Sequence, residues 1–473
     1  MYFIDRVAEM RRLDNFLHRE SGGLAFLWGR RRVGKTRLLI EWCQKHAGLY
    51  SVADESAQPV QRRYFAEAVA SRFHGFAEVE YPDWRSLLRG VSRAAASASW
   101  RGPIVLDEFP YLVASCPALP SVFQNWIDHE AKEARLVVVL AGSTQHMMQG
   151  LALDAASPLY GRAVEAMGLR PMKPGYIREA LRLRAAEDAV RTYAVWGGIP
   201  QYWELAEPYG ADLDRAVQAI VLDPMGPLHL EPDRLLREEM PPALSLRPIL
   251  DAIGMGAHRT SEIAGRLGQP ATSLARPLTR LVELGLIRRE QPYGEGGRGG
   301  KRTLYDIEDP FFRFWFRVVA PHRAALAESP RSLRMQVWKK ARTALFAETW
   351  ESLCRESVPI LSRALGALGH LGPWGPAGRF WRGKGPEWDI VSYSLDGKAL
   401  LLAEVKWHER TAAEDLVDHA FRDLVSKGLP DLPGIGDARI VQAVFLPTFL
   451  PKVKKMSFQG PIVDCDDVLA ALR

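Results

Sequence analysis

Cysteine is scarce in this sequence: Cys43, Cys116, Cys354 and Cys465 are all it has. They lie far apart and no C-x-x-C spacing occurs, so neither a zinc site nor a disulfide framework is indicated. The histidines are equally scattered, with no H-E-x-x-H. No apolar run approaches the length of a membrane span. Internal repeats and low-complexity segments are missing too, which sets aside repeat architectures. The start, MYFIDRVAEMRR, lacks the order of a signal peptide, so a cytoplasmic location is expected. What is present is ordinary: 473 residues, 47% hydrophobic and 25% charged, enough for about two to four domains with buried cores. The net charge of +6 is mildly basic and compatible with a nucleic-acid partner, though also with a solvated surface.

One stretch organises the rest. Leu24 to Trp28 is a short continuous apolar run, as an inner strand of a parallel sheet requires. Gly29 to Thr36, GRRRVGKT, then matches G-x-x-x-x-G-K-[ST] in full. Such a loop points backbone N–H groups and a helix N-terminus at phosphate oxygens. Gly29 and Gly34 let the backbone turn and approach closely. Lys35 is expected on the β- and γ-phosphates, and the Thr36 hydroxyl on Mg²⁺. Gly29, Arg30, Arg31, Arg32, Val33, Gly34, Lys35 and Thr36 are thus the expected ATP-binding residues. The three arginines either add charge near the phosphates or form a solvated face.

Pro103 to Glu108, PIVLDE, is an apolar strand ending in two acids. It reads as a strand adjacent to the phosphate loop that delivers Asp107 to the Mg²⁺ shell. Glu108 is placed to polarise the attacking water. This acid, with an extra strand between the two motifs, points to the ATPase branch of the fold rather than the GTPase branch. Leu136 to Ala141 is a further buried strand with a polar end, where Ser143 or Thr144 would watch the γ-phosphate or cap the next helix. Arg162, in SPLYGR, is a candidate arginine finger or a surface arginine, since fingers are commonly supplied across an interface. Helices from Pro174 to Trp196 make a lid, and the first domain is drawn as 1–222.

From 223 to 325 the pattern is helix, helix, helix, strand, basic Gly-rich tip, strand, which is a winged helix-turn-helix. On DNA its third helix would present Thr272, Ser273, Arg276 and Arg280, with Arg298, Lys301 and Arg302 of the wing on phosphates. The alternative is a winged helix that only packs between domains. The last domain, 326–473, has the order α-β-β-β-α-β of a restriction-endonuclease-like core, with Arg379–Trp381 as its first strand. Period two puts Glu404 and Lys406 on one strand face, and Asp389 begins the partner strand. Two carboxylates and an ammonium form a metal-dependent hydrolase arrangement: Asp389 and Glu404 hold Mg²⁺ and Lys406 orients water. Glu351, on the preceding helix, is a third candidate ligand. Alternating charge on an exposed strand is the competing reading.

Several motifs carry a family resemblance: GRRRVGKT, Asp107-Glu108, GSTQHM at Gly142, SPLYGR at Ser157, GGIPQYW at Gly197 and DPFFRFWFR at Asp309. Together they resemble the archaeal-type AAA-like ATPases of bacteria and archaea, which pair an ATPase and winged helix with a C-terminal PD-(D/E)XK-like domain. The resemblance spans nearly the whole chain. It implies ATP binding at Gly29–Thr36 and puts Asp389, Glu404 and Lys406 on the nuclease-like motif. Val7 departs from it, since related starts carry Glu after the Arg. The expected architecture is therefore α/β: a P-loop ATPase with a parallel sheet and helical lid, a winged helix, and a restriction-endonuclease-like α/β domain. Two functions follow: an ATP-gated nuclease acting on nucleic acid, with DNA preferred, or a nucleotide-dependent switch or DNA-binding regulator built on the winged helix, whose nuclease-like domain does not cut. A homo-oligomer is admitted by either.

Overall fold

The computed structural model describes residues 2–239, 246–295, 302–361, 368, 371–383, 385–409, 411–449 and 460–473. The wing residues Arg298 and Lys301 lie outside the described residues. The chain divides into two compact units. The first is Phe3–Met172 with Ile199–Gln201; the second contains Lys173–Gly198 and Tyr202–Arg473.

The first unit is built on five parallel strands: β1 (Gly23–Trp28), β2 (Leu49–Val52), β3 (Pro103–Asp107), β4 (Val137–Gly142) and β5 (Ala163–Gly168). Their order in the sheet is β2-β3-β4-β1-β5. β3 and β4 are buried along their whole length and β1 over all but its first residue, because their near-continuous apolar sequences leave no face for water. This order separates the two motif strands. The Asp107 strand is not adjacent to the strand that feeds the phosphate loop, because β4 pairs with both and lies between them. The VVVLA run of β4 has no polar side to show solvent, so it takes the central position. Helices on this sheet bury Phe65, Trp84, Phe109, Phe123 and Trp126 in one continuous core. Loops at the strand C-terminal ends are thereby left to carry polar residues, as in other open α/β sheets.

In the second unit the Ala186–Trp196 helix packs against the Arg331–Ser357, Pro310–Phe314 and Cys465–Ala471 helices. Helices Arg247–Gly254 and Thr260–Leu267 come next, then a 3₁₀ turn, Ala271–Leu274, that runs into helix Ala275–Glu283. An antiparallel hairpin follows, β6 (Ile287–Glu290) with β7 (Leu304–Ile307). The expected third helix thus starts with a tight turn, where Pro270 at its head removes one backbone donor.

The C-terminal part is a mixed sheet of β8 (Gly378–Phe380), β9 (Trp388–Tyr393), β10 (Ala399–Val405), β11 (Arg439–Phe445) and β12 (Ile462–Val463), in the order β12-β11-β10-β9-β8. β8, β9 and β10 are antiparallel neighbours; β10, β11 and β12 are parallel. Helix Glu414–Ser426 makes the crossover between β10 and β11 that parallel pairing demands. It buries Val417, Ala420 and Phe421 against Val444, Leu446 and Ile462. Asp396-Gly397 turns the β9–β10 hairpin, with Gly397 at φ +71° where a Cβ would be strained.

Candidate active sites

At the end of β1 the backbone enters the phosphate loop. Gly29 has no room for a side chain, since a Cβ there would lie 2.7 Å from the Leu169 carbonyl oxygen. Gly34 caps the Lys35–Lys45 helix at φ +98°. The Lys35 ammonium is buried and donates to the Gly29 carbonyl at 2.8 Å and the Arg30 carbonyl at 3.2 Å. It therefore lies within the loop's own curve. The Arg31 guanidinium reaches the Tyr111 hydroxyl at 3.4 Å.

Asp107 is fully buried at the tip of β3, and its carboxylate gathers the site. Its Oδ2 accepts from the Thr36 hydroxyl at 2.8 Å and from the Tyr50 hydroxyl at 2.8 Å. Its Oδ1 accepts from the Glu108 N–H at 2.9 Å. Burial, then the Asp107 charge, pushes the Tyr50 phenol up, so it stays a donor. A hydroxyl and a carboxylate in contact at a phosphate loop fit an oxygen-seeking Mg²⁺. Glu108 takes a left-handed backbone, φ 53°, at the start of the Phe109–Ser115 helix. Its Oε2 accepts from both the Ser143 N–H (3.1 Å) and the Ser143 hydroxyl (2.9 Å). Of the two alternatives at that strand end, Ser143 therefore touches the acid, while Thr144 starts the Gln145–Leu153 helix without a side-chain cap.

Two residues of this site were not expected from the sequence. Arg6 is buried and left-handed, φ 66°, and its guanidinium donates to the Val33 carbonyl at 2.7 Å and the Arg170 carbonyl at 2.9 Å. It props the loop from below. Tyr50 reaches Asp107 because β2 pairs in register with β3. Alternation along Leu49–Val52 was the only signal for it.

Arg162 is not brought to this site. It precedes Ala163, which pairs with Leu24 at the start of β1, whereas the loop follows Trp28. Four residues of strand separate the two ends, about 13 Å. Its guanidinium instead grips Asp128 through Nε (3.0 Å) and Nη2 (2.9 Å), and donates to the Pro158 carbonyl at 2.9 Å.

In the C-terminal sheet, pairing of Ala403 with Ile390 puts Glu404 and Asp389 at the same end of neighbouring strands. The Asp389 Oδ2 accepts from the Val405 N–H at 2.9 Å. Glu404 is buried; its Oε1 faces the Lys406 ammonium at 2.8 Å. Its Oε2 is paired with Lys427, from the end of the Glu414–Ser426 helix. Lys406 also faces Asp423 of that helix at 3.4 Å. Burial, then Glu404, raises the Asp389 carboxyl. Burial, then Asp389, pushes Glu351 up to about 7. Glu351 pairs with Arg355 at 3.6 Å, and Arg355 donates to the Asp389 carbonyl at 3.3 Å. Among the described residues no three acidic, His or Cys side chains gather around one metal position. Asp389 and Glu404 have the oxygen chemistry a divalent cation takes, but both Glu404 oxygens already carry ammonium partners. Asp423 and Lys427 are a helical i, i+4 pair, which in the sequence could not be told from a solvated face.

The third helix of the middle segment exposes Thr272, Ser273 and Arg276, and Arg280 pairs with Glu283 at 3.4 Å. Arg302 pairs with Glu295 at 2.6 Å. The hairpin is also tied to the C-terminal sheet. The Tyr293 N–H donates to the Arg379 carbonyl at 2.7 Å, and the Tyr293 hydroxyl accepts from the Tyr393 N–H at 2.9 Å.

Residues 3–205 match the model of an ATPase domain predominantly from Archaea. Residues 315–416 match a family of archaeal and bacterial proteins of unknown function. That span includes Asp389, Glu404 and Lys406. An uncharacterized protein of Methanocaldococcus jannaschii is 28% identical over 438 residues, covering 92% of this chain and 93% of that one. Among solved structures, a Walker-type ATPase of Pyrococcus abyssi superposes with a TM-score of 0.52 at 21% identity, over 67% of this chain and 96% of that chain. The ORC2 protein of Aeropyrum pernix, in ADPNP–ADP complexes, gives a TM-score of 0.45 at 15% identity, over 72% and 95%. No helix among the described residues is long and apolar enough to cross a membrane.

Proposed function

From a chain that carries an archaeal-type ATPase domain at 3–205 and, at 315–416, a domain shared with archaeal and bacterial proteins of unknown function, we propose a cytoplasmic Mg-ATP hydrolase. Its turnover governs a nucleic-acid-acting centre at Asp389, Glu404 and Lys406. The observation that carries the first half is the Asp107 carboxylate, which holds Thr36 and stands beside Glu108 at the mouth of the loop. Lys35 neutralises the β- and γ-phosphates. Thr36 and Asp107 are the metal-holding pair, and Glu108 accepts the proton of the attacking water. Ser143, now donating to Glu108, is within reach of the same space and reads the γ-phosphate. The chemistry Mg²⁺ supplies when bound is electrostatic: it offsets phosphate charge and acidifies water. At its distance from the loop and held by Asp128, Arg162 takes no part in this chain's own site; it is a surface arginine or a finger for a second copy.

The nuclease half rests on Asp389 and Glu404 sharing one end of the β9–β10 hairpin with Lys406. A non-cutting switch is the second reading, favoured by the two ammonium groups on Glu404. Parallel assays decide. Purified wild type, Glu108→Gln and Glu404→Ala are each given plasmid, single-stranded DNA and RNA with Mg²⁺ and ATP, and both cleavage and phosphate release are followed. Glu108→Gln should bind ATP but lose phosphate release, on the order of 100-fold or more, as loss of a general base does. Glu404→Ala should lose cleavage and keep phosphate release. Equal cleavage by wild type and Glu404→Ala would sink the nuclease reading, and no cleavage by wild type would leave the switch.

A further inference from the structure

We infer that Lys427 is a further working residue of the Asp389–Glu404–Lys406 centre: it holds the Glu404 oxygen that a divalent cation would take, and so sets how readily metal enters. This rests on reading that centre as a metal site. Glu404 is only 4% exposed, so its charge needs a partner inside the fold. Lys406 alone satisfies that need through Oε1, and Asp423 steadies Lys406 from its other side. Asp423 brings a further carboxylate to the cluster, and a second ammonium, that of Lys427, occupies Oε2.

The placement of Lys427 suits a residue that moves. It caps the C-terminus of the Glu414–Ser426 helix, where carbonyl ends favour a cation, and its side chain keeps 18% exposure. One turn earlier, Asp423 points to the same cluster, so the pair shares a helix face. A dication arriving at Glu404 meets a like charge on the oxygen it needs. Lys427 must withdraw toward solvent, while Lys406 keeps its own oxygen. The Asp389 carboxylate is fixed at the same end of the hairpin by the Val405 N–H on its Oδ2. Lys427 is therefore a positioning residue on Glu404. It keeps the carboxylate oriented and the site charge-balanced until metal displaces it.

The test is Mn²⁺ binding to the full nucleotide-free chain, read by the electron paramagnetic resonance of free Mn²⁺, with melting followed by circular dichroism. Lys427→Met should bind Mn²⁺ about 10- to 100-fold more tightly than wild type, the range by which groups behind a ligand tune metal affinity. Lys427→Arg, which keeps the charge, should stay near wild type. The gain should vanish in Glu404→Ala/Lys427→Met. Should Lys427→Met prove unfolded, Lys427→Gln takes its place. If Glu404 governs binding in wild type but Lys427→Met binds no more tightly, Lys427 has no such role while the metal centre stands. If no Glu404-dependent Mn²⁺ binding occurs in any of these proteins, the metal reading fails and this inference with it.

Discussion

Glu351 shows how burial sets the affinity of one carboxyl for its proton. It sits on the Arg331–Ser357 helix beside Asp389, and burial, then the Asp389 charge, raises its carboxyl from 4.5 to about 7. The folded state therefore holds this proton more tightly than the unfolded chain. The contribution of its neutral form to stability is complete below about pH 4.5 and is lost as pH rises through about 7. Glu351→Gln cannot titrate. Thermal melts of both proteins from pH 4.5 to 8 should show wild type losing ground to Glu351→Gln as pH rises, and parallel curves would refute the raised proton. Tyr50 and Arg6 work differently, by hydrogen bonds that fix Asp107 and the loop backbone before any ligand arrives. Preorganised groups of this kind need no rearrangement at the moment of reaction.

At the scale of elements, the middle hairpin and the third helix divide the tasks expected of a winged helix. Tyr293 and the Glu290–Arg379 pair (3.5 Å) commit the hairpin to the C-terminal sheet, and Arg288 reaches the Ser352 hydroxyl at 3.0 Å. Of the described residues expected on nucleic acid, Arg276 lies open on the Ala275–Glu283 helix. Fluorescence anisotropy with duplex DNA at several salt concentrations should show the Arg276→Ala/Arg280→Ala variant losing roughly one unit of salt slope per phosphate contact removed. Tyr293→Phe, which deletes only the hydroxyl on the Tyr393 N–H, should leave the slope alone. An unchanged slope in the arginine variant would make the helix a packing element.

Across the whole molecule, the Ala186–Trp196 helix is the telling element. In sequence it follows the ATPase strands and reads as their lid, yet it packs on the Arg331–Ser357 and Cys465–Ala471 helices of the second unit. Cooperative units open together. Native-state hydrogen exchange in rising denaturant should therefore show its amides opening with those of the Arg331–Ser357 helix. Opening in step with β1 and β4 would assign it to the first unit instead.

By itself the sequence determined whatever depends on neighbours along the chain. GRRRVGKT dictates its own loop, since Gly29 and Gly34 decide the local backbone. PIVLDE ends a buried strand in two acids, and alternation puts Glu404 and Lys406 on one face. Only the tertiary structure decided what depends on sheet order and on which helix lies over which strand. Strand β4 separates the two ATPase motifs, and Asp107 still meets Thr36. Arg162 lands at the far end of the sheet. Arg6 finds Val33, Tyr50 finds Asp107, and Lys427 finds Glu404. Each of these pairs joins different elements, and their side-chain periods alone cannot say which faces meet. That choice belongs to the packing of apolar faces around a common core, which brings polar residues together without any motif to announce them.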